Sequence, residues 1–350
     1  MVTGSGILLA VSLVLFANAS LNLAAYVTSP SYLVGERLRS YRSSSNVSST
    51  RRRPFELGAG IYREMDIMEK VPRQRNGISL SVGPTSRWPN AVVPYVITGS
   101  FTAAQQAVIT AAIAQYTSNT CVRFVARTTE TLYVSITNTA TGCWSYVGRS
   151  LSNSENIVNL QTPDCVDVGT AAHELMHAIG FYHEHTRPDR DSYVSINRGA
   201  LAAEYQTAQF YTDNFGIMSA SQVVLYGRPY DYGSVMHYSK YAGAASSSRP
   251  VMNNLKPWTG DFGNDNGLSA SDIIEINYMY CNATTSTVAA ATSTVATTKA
   301  PTTTAAPAAT STSQPTLISW SAGSLLASLL DPLNKLIQQI GSLPIFQLFG

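Results

Sequence analysis

The amino-acid sequence predicts an α+β fold, with strands and a helix that precede a helix carrying paired histidines. One observation is a series of short alternating apolar segments before residue 162, which is typical of strands. Another is a helical spacing of apolar residues over 101–118. A third is a pair of histidines four residues apart, a spacing that places both on one face of a helix.

Length and charge limit the classes of protein to which the chain can belong. Its 350 residues are enough for one or two domains with a sizeable core. A net charge of +2 gives no reason to expect a nucleic-acid partner. Because only 13% of the residues are charged and serine, threonine and alanine are concentrated near the C-terminus, we expect a globular centre with unusual ends.

The first segment, residues 1–19, is predicted to be a signal peptide. Residues 6–16 form an apolar run that is too short to span a bilayer comfortably, and Ala17-Asn18-Ala19 offers a small-residue cleavage site. The positive charge that usually precedes such a run is missing, so a short membrane anchor is the alternative. We therefore expect a secreted, extracellular protein.

Residues 20–75 are predicted to be a propeptide, since they lack a regular apolar period and end at a basic processing site. A trypsin-like protease is expected to cut near Arg73-Gln74-Arg75. The run Arg51-Arg52-Arg53 is interpreted as solvated, and Pro54 hinders cleavage after it. Asn46-Val47-Ser48 is a glycosylation acceptor.

A larger domain, residues 76–282, is predicted to follow. Its helix is expected over 101–118, and strands are expected over 121–127, 132–137 and 156–161. A last helix over 269–280 begins with a pattern similar to a capping box.

A cluster of histidines carries the candidate metal site. On a helix His173 and His177 stand about 40° apart on one face and can bind one ion, with Glu174 beside them on the side where an activated water would sit. His183 reaches the same ion only if the chain turns back. Gly180 permits that turn because it can adopt the left-handed conformation that ends many helices. Three neutral imidazoles with one open position are typical of a catalytic zinc.

The run from His173 to Asp191 resembles the astacin family of metzincin zinc peptidases. It reads His-Glu-x-x-His-x-x-Gly-Phe-x-His-Glu-x-x-Arg-x-Asp-Arg-Asp without a gap, and similarity continues through Ile196-Asn197. Residues 88–95 resemble the family's opening strand, and residues 142–149 resemble a further family segment. The resemblance implies an α+β astacin-like zincin domain, with an N-terminal twisted sheet plus helices, a mostly irregular C-terminal subdomain, and one Zn²⁺ in a cleft.

A second motif, Ser234-Val235-Met236-His237-Tyr238, resembles the family's Met-turn. The resemblance implies that Met236 forms an apolar floor beneath the zinc and that Tyr238 lies near the metal and swings toward substrate. His237 is expected to be structural, because the three-histidine ligand set is already complete.

These features predict a zinc-dependent endopeptidase that acts on proteins or peptides. His173, His177 and His183 would hold the zinc, Glu174 would be the general base, and Tyr238 would stabilise the oxyanion. The resemblance implies a frequent preference for acidic residues just after the scissile bond. The alternative is a non-catalytic extracellular zinc-stabilised protein that displays a glycosylated stalk, but the intact glutamate and ligand set favour the enzyme.

The resemblance also bears on latency. Family propeptides carry Phe-x-Gly-Asp, whose aspartate occupies the open zinc position, but the nearest run here, residues 55–59, has Ala59 where the aspartate is expected. Glu56 and Asp66 are the alternatives, because carboxylate oxygens can bind zinc. Glu184 is implied to bind the new N-terminus of the mature chain. The charged residues that follow are expected to form a structural salt-bridge network: Arg187, Asp189, Arg190 and Asp191.

The four cysteines indicate disulfides formed in an oxidising compartment. From the sequence alone three pairings are open. The resemblance implies Cys121–Cys281 and Cys143–Cys165.

The C-terminal end is predicted to be separate from the domain. Residues 283–316 are almost wholly threonine, serine, alanine and proline, which indicates an O-glycosylated stalk, and Asn282-Ala283-Thr284 is a further glycosylation acceptor. Residues 317–350 form an amphipathic apolar tail. Three roles are possible for this tail: it packs on a partner or on itself, it associates weakly with a membrane or matrix, or it is a signal for attachment of a lipid anchor.

Overall fold

The computed structural model describes residues 29–44, 53–68, 86–150, 155–221 and 223–281. The predicted signal peptide, the processing site at Arg75, both glycosylation acceptors, the stalk and the tail lie outside these residues. Within the described residues, no helix is both long enough and apolar enough to cross a membrane.

The structure has the predicted α+β class. The helices are α1 (Pro30–Ser44), α2 (Ala103–Asn119), α3 (Val168–Ala178), α4 (Ala208–Phe215) and α5 (Ala270–Tyr280). The strands are β1 (Val92–Ile97), β2 (Arg123–Ala126), β3 (Tyr133–Thr137), β4 (Cys143–Ser145), β5 (Glu155–Leu160), β6 (Val194–Ile196) and β7 (Met252–Asn254). The predicted helix and the three predicted strands before residue 162 are all present, with ends shifted by one or two residues.

The main sheet has the strand order β2-β1-β3-β5-β4. Its first four strands are parallel, and β4 runs antiparallel to β5 at one edge, with Cys143 opposite Leu160. After α3, the described chain contains only short 3-10 turns, the β6–β7 pair and two helices. The strand-rich half therefore precedes the irregular half, as predicted.

Helix α2 supports the histidine helix from behind. Thr102 caps it by accepting a hydrogen bond from the Gln105 amide, and the Gln105 side chain accepts one from the Thr102 amide in return. Ile109 and Tyr116 on its inner face are fully buried. The Tyr116 hydroxyl donates to the carbonyl of Ala172, on the helix that carries the first two histidines, at 2.5 Å.

Helix α3 is buried along almost its whole length, so both of its ends need polar partners inside the protein. Asp167 caps the start by accepting from the Thr170 amide at 2.8 Å. At the other end the Trp88 indole donates to the Ala178 carbonyl at 2.9 Å. Gly180 then takes φ 114°, as the predicted turn requires, and reverses the chain.

Both disulfides implied by the resemblance are present. Cys121–Cys281 joins the end of α5 to the start of β2, and Cys143–Cys165 joins β4 to the loop before α3. Ser269 caps α5 with the predicted capping box to Asp272.

The region expected to lack regular structure contains one helix. In α1, Val34 and Leu38 are buried, although the sequence of this region shows no regular apolar period. A second stretch, residues 53–68, lies along the edge strand β4: the Ser145 amide donates to the Asp66 carbonyl at 3.0 Å, and the Met68 amide donates to the Ser145 carbonyl at 2.9 Å. This stretch, here named the cleft segment, therefore crosses the face from which the histidines are approached.

Candidate metal centre

Three imidazoles and one carboxylate converge at a single point. His173 Nε2 and His183 Nε2 lie 3.0 and 3.2 Å from Asp66 Oδ2, and His177 Nε2 lies 3.5 Å from Asp66 Oδ1. The ligand atoms of the four residues all lie within 4.8 Å of one another, and all four side chains are buried. The helix supplies two of the imidazoles, and the turn at Gly180 brings in the third.

The far nitrogen of each imidazole faces a hydrogen-bond acceptor. His173 Nδ1 lies 2.7 Å from the Val235 carbonyl, and His177 Nδ1 lies 2.7 Å from the Phe181 carbonyl. His183 Nδ1 lies 2.9 Å from Glu64 Oε2. An acceptor at Nδ1 favours a proton on that nitrogen, which would leave Nε2 free to bind a metal ion at the shared centre.

The donor set fits a zinc ion. His177 Nε2 and Asp66 Oδ1 are buried and have no hydrogen-bond partner among the described residues, although burial without a partner is costly. Three neutral imidazoles and a carboxylate oxygen are ligands that zinc accepts in a four-coordinate site. His237, expected to be structural, is outside this set: its Nε2 lies 2.7 Å from the Tyr230 hydroxyl.

Glu174 lies on the same helix between the two histidine ligands and is fully buried. Neither of its carboxylate oxygens has a hydrogen-bond partner among the described residues. Burial, helped by the nearby negative charge of Asp66, raises the pKa of Glu174 well above its usual range. The side chain is therefore suited to carrying a proton.

The carboxylate of Asp66 and the three imidazoles shift one another's pKa values. Burial opposes ionisation of Asp66, but the imidazoles of His183 and His177 outweigh it and hold the pKa of Asp66 well below its usual range. Burial lowers the pKa of His173 to about 4. Burial also acts to lower the pKa of His183, but Asp66 and Glu64 outweigh it and raise that pKa to about 9.

Tyr238 and the turn before it lie against the third histidine. The Tyr238 ring centroid lies 4.5 Å from that of His183, and its hydroxyl donates to the Glu64 carbonyl. The turn is fastened to α5, because Asp272 accepts hydrogen bonds from the Ser234 hydroxyl at 2.6 Å and the Val235 amide at 2.9 Å. Met236, the predicted floor of the site, is buried.

Glu184 follows the third histidine and is buried beside a small cavity. Its Oε1 accepts from the Asp231 amide at 2.7 Å and from the Arg187 guanidinium at 3.0 Å. Burial raises the pKa of Glu184 to about 8, although Arg187 opposes the shift. Glu275 lines the same cavity of about 70 Å³, and burial raises its pKa to about 9.

The expected framework of charges after the histidines is present. Arg187 forms a two-pronged pair with Asp189, with both contacts at 2.9 Å. Arg190 is buried, pairs with Asp191 at 2.7 Å and donates to the His185 carbonyl at 3.0 Å.

Of the two carboxylates considered for the open position, the structure places Asp66 at the histidines and Glu56 elsewhere. Glu56 accepts from the amide and the hydroxyl of Ser239 at 2.6 and 2.8 Å. Ala59, which stands at the motif position, is buried, and its carbonyl accepts from Arg37. Sequence reasoning missed Glu64 altogether, since nothing local marks a glutamate as the partner of a histidine 119 residues away.

Comparison with known proteins gives consistent matches. The family model described as Astacin, a family of peptidases, matches residues 81–281. Zinc metalloproteinase nas-7 of Caenorhabditis elegans is 36% identical over 219 residues, which cover 60% of this chain and 52% of that protein. Tolloid-like protein 1 of Homo sapiens is 38% identical over 192 residues, covering 53% of this chain and 18% of that protein.

A solved structure also aligns with this one. It is high choriolytic enzyme 1, a hatching enzyme zinc-protease from Oryzias latipes, with 34% identity, a TM-score of 0.49, and coverage of 55% of this chain and 92% of that chain. The chain spans about half the length of the first curated relatives it matches.

The geometry predicts that Asp66 contributes to metal affinity. In the full chain, Asp66→Asn is expected to weaken Zn²⁺ binding by about 10–100-fold, because a neutral amide oxygen replaces a charged ligand at the centre. Competition with a fluorescent chelator measures the change. Asp213→Asn is the control and should bind zinc as the wild type does, because Asp213 is a half-buried aspartate on α4 whose carboxylate accepts from the Gln209 side chain. Equal affinity in Asp66→Asn and the wild type would contradict the assignment.

Proposed function

Because this chain belongs to the astacin family, whose model matches more than half of its residues, we propose that it is a secreted zinc-dependent endopeptidase made as an inactive precursor. The observation that carries the proposal is the convergence of three buried Nε2 atoms next to Glu174, whose carboxylate has no partner among the described residues. A buried carboxylate without a partner lowers the free energy of unfolding, and such groups are found mainly where a reaction or a ligand uses them.

The proposed reaction is hydrolysis of a peptide bond. His173, His177 and His183 would hold Zn²⁺, which when bound would supply a Lewis acid that polarises the carbonyl and lowers the pKa of water. Glu174 accepts a proton from the attacking water at one carboxylate oxygen and delivers it to the nitrogen of the leaving amine. The Tyr238 hydroxyl donates a hydrogen bond to the oxyanion as negative charge develops there.

The cleft segment is proposed to hold the precursor inactive. Three contacts support this role: Asp66 lies among the histidine nitrogens, the Glu64 carbonyl accepts the hydroxyl of Tyr238, and the backbone of residues 66–68 pairs with Ser145 of the edge strand. A substrate peptide would have to bind at the same positions, next to the histidines, Tyr238 and the edge strand, so the cleft segment would exclude it. Cleavage by a trypsin-like protease near Arg75 would free the segment.

Glu184 is proposed to bind the N-terminal ammonium created by that cleavage. Its cavity holds two acidic side chains, Glu184 and Glu275, with raised pKa values and one guanidinium, from Arg187. A further cation would stabilise both carboxylates in their charged form. Glu184 directly follows the metal ligand His183, so an ordered N-terminus at this point would stabilise the finished site.

The proposal predicts a latent precursor. Purified full-length chain loaded with Zn²⁺ should show no cleavage of a denatured protein substrate until trypsin cuts it near Arg75, and a chelator should then abolish the activity. Asp66→Ala should be partly active without trypsin, because its centre is open. Full activity of the uncut wild type would contradict latency, and inactivity of the cut, zinc-loaded chain would favour the non-catalytic alternative.

Glu174→Gln separates chemistry from metal binding. The variant is expected to keep one zinc per chain and to lose about 10²–10⁴-fold in kcat, because the amide cannot accept the proton. Metal analysis and steady-state kinetics on the trypsin-cut chain give the two values. Turnover at the wild-type rate would remove Glu174 from the base role.

Tyr238→Phe tests the oxyanion donor. The loss of one hydroxyl is expected to lower kcat by about 10²-fold with zinc retained, since the hydrogen bond forms fully only in the transition state. Tyr205→Phe is a matched control, because Tyr205 stacks on Phe210 away from the centre. If the two variants have the same kcat, Tyr238 plays no part in the reaction.

A further inference from the structure

A large open cavity lies beside the metal centre. Its volume is about 640 Å³, and it is bounded by residues 53–55 of the cleft segment, the start of α3 and the loop 261–266. Phe55, at its inner end, stacks on the His173 ring with centroids 3.8 Å apart. The cavity therefore opens next to the first metal ligand.

The side chain of Arg53 forms part of the wall of this cavity. Its Nε donates to Asp265 Oδ1 at 2.7 Å, and its Nη2 donates to the Phe262 carbonyl at 2.6 Å. Only 11% of the side chain is exposed, so the interpretation of Arg51-Arg52-Arg53 as solvated is wrong for Arg53. A guanidinium bound by a carboxylate and a carbonyl through separate nitrogens is held in a defined orientation.

The cavity wall carries more negative charge than Arg53 neutralises. Three aspartates line it, Asp167, Asp261 and Asp265, and Arg53 is the single basic side chain among the described lining residues. Asp261 Oδ2 is buried without a hydrogen-bond partner among the described residues. Asp265, whose side chain is 78% exposed, binds the Arg53 guanidinium directly. The buried oxygen of Asp261 adds negative charge to the wall of the same cavity.

The backbone of the loop leaves room for the guanidinium. Gly263 has φ +78°, and a Cβ built on it would lie 2.6 Å from the His237 carbonyl oxygen and 2.8 Å from both Cζ and Nη1 of Arg53. The left-handed backbone and the His237 carbonyl already require glycine at this position. The missing side chain also lets the guanidinium of Arg53 lie close to the loop backbone.

Arg53 leaves with the cleft segment if the proposed activation occurs. We infer that the place of the Arg53 side chain in this cavity becomes, once vacated, a subsite of the cleft that receives an arginine or lysine side chain of the protein substrate near the scissile bond. This inference rests on the proposed function. It adds a basic preference at one position, in contrast to the acidic preference that the family resemblance implies just after the bond.

One arm of the test needs no enzymatic activity. In zinc-loaded full-length chain, Arg53→Ala empties the cavity of its guanidinium, and millimolar ethylguanidinium should then raise the Tm saturably by about 2–4 °C. The wild type, whose site is filled, and the triple variant Arg53→Ala/Asp261→Asn/Asp265→Asn should not respond. The asparagines keep a side-chain oxygen for the loop hydrogen bonds while removing the charge. A lack of response in Arg53→Ala overturns the inference.

The other arm measures specificity. The trypsin-cut chain is incubated with a peptide library, and its cleavage sites should be enriched in arginine or lysine at one position near the bond. Asp261→Asn/Asp265→Asn should reduce kcat/KM about tenfold for a peptide with arginine there but not for the matched alanine peptide. Asp213→Asn is the control and should cleave both peptides as the wild type does.

The two arms separate this inference from the proposed function. Cleavage without a basic preference, or with a preference that survives the double variant, overturns the inference and leaves the peptidase proposal standing. No cleavage by the cut, zinc-loaded chain overturns the peptidase proposal and with it the substrate subsite, and the ethylguanidinium arm then decides only whether the cavity binds a guanidinium.

Discussion

The structure depends on three imidazoles whose Nε2 atoms are held toward one buried point. Each ring is fixed from behind, by the Val235 carbonyl, the Phe181 carbonyl or the Glu64 carboxylate. Burying this many polar groups is unfavourable unless a cation or a compensating charge joins them, because a low-dielectric interior penalises every unpaired donor and acceptor. In this structure Asp66 and the imidazoles compensate one another's burial at a single point.

Distant elements supply the parts that hold this point in position. The turn at Gly180 reverses the chain and brings in His183. Asp272, at the start of α5, fixes the turn that contains Val235. The Cys121–Cys281 disulfide joins the other end of that helix to the main sheet. It therefore links the irregular C-terminal half of the domain covalently to the strand-rich N-terminal half. The cleft segment then closes the assembly with Asp66.

Sequence reasoning reached the histidines and the helix that carries them, because their spacing is a local property of a helix followed by a glycine turn. Their partners in space were harder to identify. Asp66 was one of two alternatives for the open position, because it lies 107 residues from His173 and Met65, at φ 65°, stands where the family motif has glycine. Arg53 was interpreted as solvated because a basic run does not reveal a carboxylate 212 residues away.

The three imidazoles are expected to bind one metal ion together through Nε2. X-ray absorption at the zinc edge, on full-length chain loaded with one equivalent of Zn²⁺, measures the ligands of that ion. We expect three imidazole nitrogens at about 2.0–2.1 Å with one oxygen ligand beside them. A spectrum with fewer than three imidazoles, or a chain that retains no zinc, would contradict it.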